Sequence, residues 1–444
     1  MMKEIKYKPT DLLWCPEIPE HWDTLKIKYL AIGEGTLFLD GDWIESKDII
    51  YDSDNGNLRY ITTGNIGEGI YKEQGEGFIS EETFAKLNCT EVFPGDLLIS
   101  RLNPPIGRSC IIPDLGKRIV TSVDNVIVRP EKIFLKRYLM YVMTSKKYFE
   151  HTDLISRGVT MQRISRSILG DVKLPITADE KEQENIAAFL DDKTTRIDNL
   201  ISQKEKLIEK LKEERIAIIN DAVTKGLNAK SEMKPSGVNM IGEVPKHWEV
   251  KRLKFVAQYV QTGNTPPSAK EEYYNGEVNW FTPSDFGEEL ELIKSSRTIS
   301  DLAVSEEVVR MFPANSVMII GIGATLGKVG YILNPASSNQ QINAMVFNNE
   351  TEAIFYCYFL FANRPNIVAL TNAATLAILN QSQNKDIPVP VMDIDEMKLI
   401  VKKIEESDLK IKTVVKRIEK EIELIKEYKA SLINEVVTGK LILN

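Results

Sequence analysis

The strongest constraint on this chain is that it is written twice. IPEHWDTLKIKYLA, from Ile18, matches VPKHWEVKRLKFVA, from Val244, with Pro, His, Trp, Lys and Ala in register. FPGDLLIS from Phe93 resembles FPANSVMI from Phe312, and TMQRISRSILGDVKLP from Thr160 aligns with TLAILNQSQNKDIPVP from Thr375. IINDAVTKGL, ending at Leu227, answers LINEVVTGKL, ending at Leu441. Four anchors in one order, offset by roughly 215 to 226 residues, identify a tandem duplication. Two copies of one unit also suit 444 residues, more than a single hydrophobic core normally serves.

Each half has the same plan. Short β-branched and aromatic runs broken by Gly, Pro, Asn and Asp, such as NLRYITTGNIGEGIY, read as strands and turns. A long charged segment of helical period follows. In the first half Ile186, Leu190, Lys193, Ile197, Leu200, Lys204, Leu207 and Leu211 keep a 4-3 spacing. In the second Ile404, Ser407, Ile411, Val414, Ile418, Glu421, Ile425, Tyr428 and Leu432 do the same. This predicts a coiled-coil seam with polar interruptions. At 1.5 Å per residue, about 40 residues make helices of roughly 60 Å. Similar halves associate about a pseudo-two-fold axis, which sets the two helices antiparallel with a globular domain towards each end. The expected fold is mixed α/β (α+β), with globular domains over residues 1–178 and 229–392 and helical spacers over 179–228 and 393–444.

Composition excludes several classes. The longest apolar runs, Ser316 to Ile322 and Ala353 to Ala362, fall far short of the roughly 20 residues of a membrane helix. MMKEIKYKPT has no apolar signal core, so the expected compartment is the cytoplasm. Cys15, Cys89, Cys110 and Cys357 are scattered without the paired spacing of a disulfide framework or a zinc site. The net charge of -8 weighs against nucleic-acid binding as a bulk property, yet ISRGVTMQRISRSILG carries Arg157, Arg163 and Arg166 with no acid.

Three motifs point towards catalysis and miss. Asn103-Pro104-Pro105-Ile106 approaches the Asn-Pro-Pro-aromatic signature of amino-methyltransferases, but an isoleucine stands where a ring would stack on a flipped base. Gly33-Glu34-Gly35 lacks the strand-turn-helix context of a cofactor site. GATLGK, Gly323 to Lys328, is one residue short of a phosphate loop and is followed by Val329 where a Ser or Thr should bind magnesium. Two of the three histidines, His21 and His247, precede Trp22 and Trp248 in the repeated Pro-x-His-Trp element, which reads as packing at the start of each domain; His151 stands apart. The residues imply no catalytic group, no metal site and no cofactor bound by this chain.

The chain resembles the specificity subunits of type I restriction-modification enzymes. The resemblance covers nearly all of it and is carried by KLPITADEKEQENIAAFLDDKTTRIDNLISQKEKLIEKLKEER (Lys173 to Arg215), VPKHWEVKRLKFVA, NWFTPSDF (Asn279 to Phe286), SNQQINAM (Ser338 to Met345) and Gly327-Lys328. One departure is Met397-Lys398 where the first copy has Glu182-Gln183, which implies that this pair is dispensable in one half. The resemblance implies that each globular domain is a target-recognition domain reading half of a split sequence in double-stranded DNA. It implies helices that set the gap and dock two methyltransferase subunits. S-adenosylmethionine would then sit on those subunits, with ATP and magnesium on added restriction subunits. The alternatives are a self-contained DNA adenine methyltransferase and a coiled-coil scaffold that binds no DNA.

Side-chain chemistry then selects candidate DNA contacts, since Arg forks onto guanine and Asn or Gln onto adenine. In the first half these are Thr62, Thr63, Asn65, Arg101, Asn103, Arg108, Arg157, Gln162 and Arg163, with Arg163 and Arg101 foremost. In the second they are Thr282, Ser284, Asp285, Thr325, Lys328, Asn339, Gln340, Gln341, Asn343, Asn380 and Gln381. The Lys and Thr members suit phosphate positioning. Arg163 aligns with Ile378, so the halves should read different sequences.

Overall fold

The structure is a computed structural model, describing residues 6–52, 54, 56–158, 161–371 and 377–441. Thr160 and Thr375, which open the third repeat anchor, lie outside these residues. The chain divides into two compact units, Met1–Lys204 with Lys420–Asn444, and Glu205–Glu419. Each unit thus combines a globular part from one repeat with helical segments from both.

The first unit is built on a four-stranded antiparallel sheet, Leu37–Asp40, Asn125–Arg129, Leu97–Ser100 and Ser109–Ile111 in spatial order. The central strand Leu97–Ser100 is buried throughout, which is why it reads as the apolar run LLIS rather than an alternating one. A smaller sheet pairs Leu58–Ile61 in parallel with Arg118–Thr121. The second unit repeats the plan: Tyr259–Thr262, Ile342–Val346, Ser316–Ile320 and Val329–Ile332 form the four-stranded sheet, and Tyr274–Phe281 runs parallel to Ala336–Ser338.

The repeated Pro-x-His-Trp element is a packing feature with a specific partner. Trp22 is buried, and its indole N–H donates to Glu182 Oε1 at 3.0 Å in the first turn of the long helix Glu180–Lys225, while His21 Nε2 lies 3.2 Å from the same carboxylate. In the second unit Trp248 donates to Glu396 Oε2 at 3.1 Å, and His247 Nε2 is 2.8 Å from it, at the start of the helix Ile394–Val437. The structural counterpart of Glu182 is therefore Glu396, not Met397, because the link from strand to helix is one residue shorter in the second repeat. The glutamate is retained. Only Gln183, whose amide bonds Leu135, Ile133 and Thr177 of the backbone, is replaced, by the buried Met397.

The helical seam also differs in phase from the predicted one. Leu200, Leu207, Val414 and Tyr428 are exposed, and Ile201, Ile208, Val415 and Ile422 are buried instead. In both helices every second seam position is one residue later, which exchanges the threes and fours of the spacing. The polar members Thr194, Arg215 and Asp408 hide this phase in the sequence, and the seam satisfies them with partners: Thr194 with Tyr141, Arg215 with Asp408. In the first unit Asp198 meets Lys429 at 2.7 Å and Lys204 meets Glu421 at 2.7 Å, so the two helices run antiparallel there. In the second unit Arg215 meets Asp408, and Ile219, Ala222 and Val223 share a core with Met397 and Ile400, again antiparallel.

The helix ends close the cores. Leu432, Ile433, Val436 and Val437 lie in the first unit's core with Trp22, Ile186 and Leu190. Gly439, at φ 69°, then turns the chain so tightly over Pro19 that a Cβ would come within 2.4 Å of it. In the second unit the corresponding end of the first helix, Ile219 to Val223, covers Trp248, and Gly226 (φ 71°) ends it there. No helix among the described residues is long and apolar enough to cross a membrane.

Candidate nucleic-acid interface

In the first unit three segments far apart in sequence are fastened into one loop cluster. Strand Leu97–Ser100 runs into the turn at 101–108, and Arg108 rivets this turn to the next loop. Its guanidinium donates to the carbonyls of Ile66 at 2.6 Å, Thr63 at 2.9 Å, Leu102 at 3.0 Å and Asn103 at 2.6 Å. Leu102 forms a β-bridge with Arg163, the Asn103 N–H donates to the Gln162 carbonyl at 2.9 Å, and Arg157 and Arg163 exchange backbone bonds of 3.0 and 2.8 Å. All nine first-half candidates thus belong to segments that the backbone brings together.

Within the cluster the side chains divide by task. Asn65 is buried: its amide oxygen accepts from the Thr62 N–H, and its nitrogen donates to the Lys72 and Gln74 carbonyls at 2.9 and 2.8 Å. Arg101 is only 4% exposed, donates to the carbonyls of Ile164 and Val123, and lies 3.1 Å from Asp40. Burial, opposed by Asp40, holds its guanidinium below the usual pKa. Burial likewise pushes the Asp40 carboxyl above the usual range despite Arg101, Arg166 and Arg163 nearby. Asn65, Arg101 and Arg108 were expected to reach bases, but here their donors are spent on carbonyls and carboxylates inside the protein. They build the loops. Asn103, Arg157 and Arg163 are exposed, as is Thr62, while Thr63 and Gln162 are half-buried. Arg163 extends to Asp124 at 2.7 Å, and Arg166 lies 3.6 Å from the other oxygen of Asp40. Residue type and spacing had not singled out Asp40 or Asp124. Their only sequence signal is a place beside strands of the repeat, and strand pairing carries them to the arginines.

The second unit builds the same frame from other residues. Lys328 takes the place of Arg108, donating to the Phe286 carbonyl at 3.0 Å. Thr282 and Asp285 repeat the cap of Thr62 and Asn65, the Asp285 carboxylate accepting from the Thr282 N–H at 2.7 Å and from the Ser296 N–H at 2.8 Å. Burial raises the Asp285 pKa, but bonds from Ser296 and Thr282 outweigh it and leave the carboxyl below its usual range. Asn343 is buried between Thr262 and the Leu379 carbonyl, and Asn339 is buried against Gln341. Asn380 caps the helix Gln381–Asp386, and the Gln381 amide donates to Val260. Thr282, Asp285, Asn339, Asn343, Asn380 and Lys328 therefore shape loops. Ser284 and Gln340 are exposed, Thr325 and Gln341 half-buried. Gln340 is reached by Thr265, which sequence reasoning missed.

The catalytic near misses resolve physically. Ile106, after the two prolines, is fully buried and cannot stack on a base. The GATLGK turn leads into strand Val329–Ile332, so no helix N-terminus faces a would-be phosphate.

Comparison with known proteins agrees with this architecture. The profile described as "Type I restriction modification DNA specificity domain" matches residues 19–212 and again 245–424, one match per repeat. A Methanocaldococcus jannaschii chain provisionally assigned as the MjaX type I restriction enzyme specificity subunit is 26% identical over 99% of this chain and 97% of its own length. The MjaVIII specificity subunit of the same organism is 24% identical over 96% and 94%. Among solved structures, one reported for complex assembly and conformational transition of the type I R-M system superposes with a TM-score of 0.69 at 12% identity, over 96% of this chain and 99% of that one. The HsdS subunit from Thermoanaerobacter tengcongensis gives 0.50 at 14% identity, over 96% and 98%. With a match in each repeat that together take in most of its length, the chain belongs to the type I restriction-modification DNA specificity domain family.

Proposed function

We propose that this chain is the sequence-reading subunit of a type I restriction-modification complex, with each unit recognising one half of a bipartite DNA target. The observation that carries this reading is one loop frame built twice and tipped with different side chains. A shared frame suits a shared task, and different tips suit different sequences. The chain supplies recognition, while chemistry, S-adenosylmethionine, and ATP with magnesium belong to methyltransferase and restriction subunits that dock on it in the cytoplasm. The acidic net charge is compatible with this, because exposed cations at the loop cluster act locally and partners share the phosphate grip. Methylation mapping of DNA modified by the assembled complex tests it. Two short specified elements separated by unspecified bases are expected, and methylation within one continuous motif would overturn the reading.

A further inference from the structure

The two loop clusters can be superposed residue by residue through their backbone bonds. Ser100 accepts from Gly107 as Ile320 does from Gly327; the Arg101 N–H donates to Asp124 as Gly321 does to Gln341. The Ile164 N–H donates to Arg101 as Leu379 does to Gly321, and the bridge Leu102–Arg163 recurs as Ile322–Ile378. Gly41 bonds Asn125 as Gly263 bonds Ile342, which sets Asp40 opposite Thr262. The caps Ser165 and Asn380 set Arg166 opposite Gln381.

In this register the charged group of the first unit, Asp40, Arg101, Asp124, Arg163 and Arg166, becomes Thr262, Gly321, Gln341, Ile378 and Gln381. Every charge is removed. The replacement is not a collapse into core, because Ile378 remains 44% exposed where Arg163 is exposed. Ile378 therefore presents an aliphatic side chain at the surface of the second loop cluster, at the register position where the first cluster presents a guanidinium.

From this we infer that Ile378 reads the C5 methyl group of a thymine in the major groove of the second half-site, at the place where Arg163 reads a guanine in the first. The inference rests on the reading of the chain as a DNA-recognition subunit. Major-groove chemistry supports the pairing: thymine is the one unmodified base that offers an apolar group there, and an aliphatic side chain is its natural contact, whereas a guanidinium is matched to guanine O6 and N7. The loss of Asp124 fits as well. A carboxylate beside Arg163 orients that side chain, and an aliphatic reader has no use for it.

The test uses the full chain assembled with its methyltransferase partner and duplexes carrying the mapped target. Each thymine in the second half-site is replaced singly by deoxyuridine, which deletes only the methyl. One position should weaken binding about fourfold, the amount expected for one buried methyl-sized group. Ile378→Ala should bind the thymine and uracil duplexes equally at that position, and Arg163→Ala should leave the thymine preference intact. Ile378→Val, which keeps an apolar tip, should retain part of it. Specific binding with no uracil-sensitive position, or a thymine preference that survives in Ile378→Ala, overturns this inference alone. A complex with no sequence preference at all overturns the functional reading beneath it.

Discussion

Cutting the chain after Asn228 removes the second repeat, and the structure sets what that costs. The first unit loses Leu432, Ile433, Val436 and Val437 from the core that surrounds Trp22. At roughly 1.5 to 3 kcal/mol for each buried aliphatic side chain, about 6 to 12 kcal/mol of burial disappears. That is comparable to the whole stability of a typical domain, about 5 to 15 kcal/mol. A monomeric half-chain should therefore not stay folded. Two half-chains can repair each other, because the end of the first helix already performs this job in the second unit, where Ile219, Ala222 and Val223 cover Trp248. In a homodimer that segment of one copy would cover Trp22 of the other. The fit is imperfect at Val436, whose counterpart Ala222 is two methyl groups smaller, about 1.6 kcal/mol at about 0.8 kcal/mol each. The Lys204–Glu421 pair is lost, since Leu207 stands in the position of Glu421; this half-buried pair still reaches water, and a pair of that kind is worth about 1 kcal/mol. Asp198 still finds a cation, Arg215 in place of Lys429. The net penalty, about 2 to 3 kcal/mol per contact, leaves most of the lost burial recovered. Light scattering coupled to size exclusion should report a dimer, with unfolding midpoints that rise with concentration. Assembled with methyltransferase, it should modify a palindrome of the first half-site. A half-chain that unfolds cooperatively as a monomer at micromolar concentration would refute the reasoning.

Further outcomes follow from the side chains. Arg163→Ala should lose about 1 to 3 kcal/mol of discrimination at one base pair of the first half-site, with the second unaffected, in competition binding against single-base variants. Arg101→Ala should instead lower the unfolding midpoint, since removing a buried guanidinium between Asp40 and Asp124 costs about 3 to 5 kcal/mol, and calorimetry separates this loss from a binding defect. Glu396→Ala leaves the buried Trp248 N–H without its acceptor and should cost about 1 to 3 kcal/mol by denaturant unfolding, as Glu182→Ala should through Trp22. Equilibrium dialysis should find S-adenosylmethionine bound by the assembled complex and not by the purified chain.

The sequence by itself determined the duplication, the alternation of strand-rich and helical segments, the existence of both long helices and the equivalence of Arg163 with Ile378. All of these rest on local pattern or on comparison of one half with the other, which needs no three-dimensional contact. It also picked out loop segments that the structure gathers into one cluster in each unit. It did not determine which side chains in those loops face outward, because Arg and Asn have the same donors whether they meet a base or a backbone carbonyl. Arg101 and Arg163 looked alike as candidates, and only the packing of Asp40, Val123 and Ile164 around the first decided that it is a buried strut. The helical seam failed for a related reason. A 3.5-residue period fits two phases equally well, and the exposed Leu200 and Leu207 favoured the wrong one until cross-helix partners for Arg215 and Asp408 fixed the other. Glu396 was misplaced by one residue because a shortened link shifts the register without leaving a mark in composition. Tertiary structure alone decides burial, and it was burial, rather than residue type, that separated the groups holding the loops from the groups exposed at their surface.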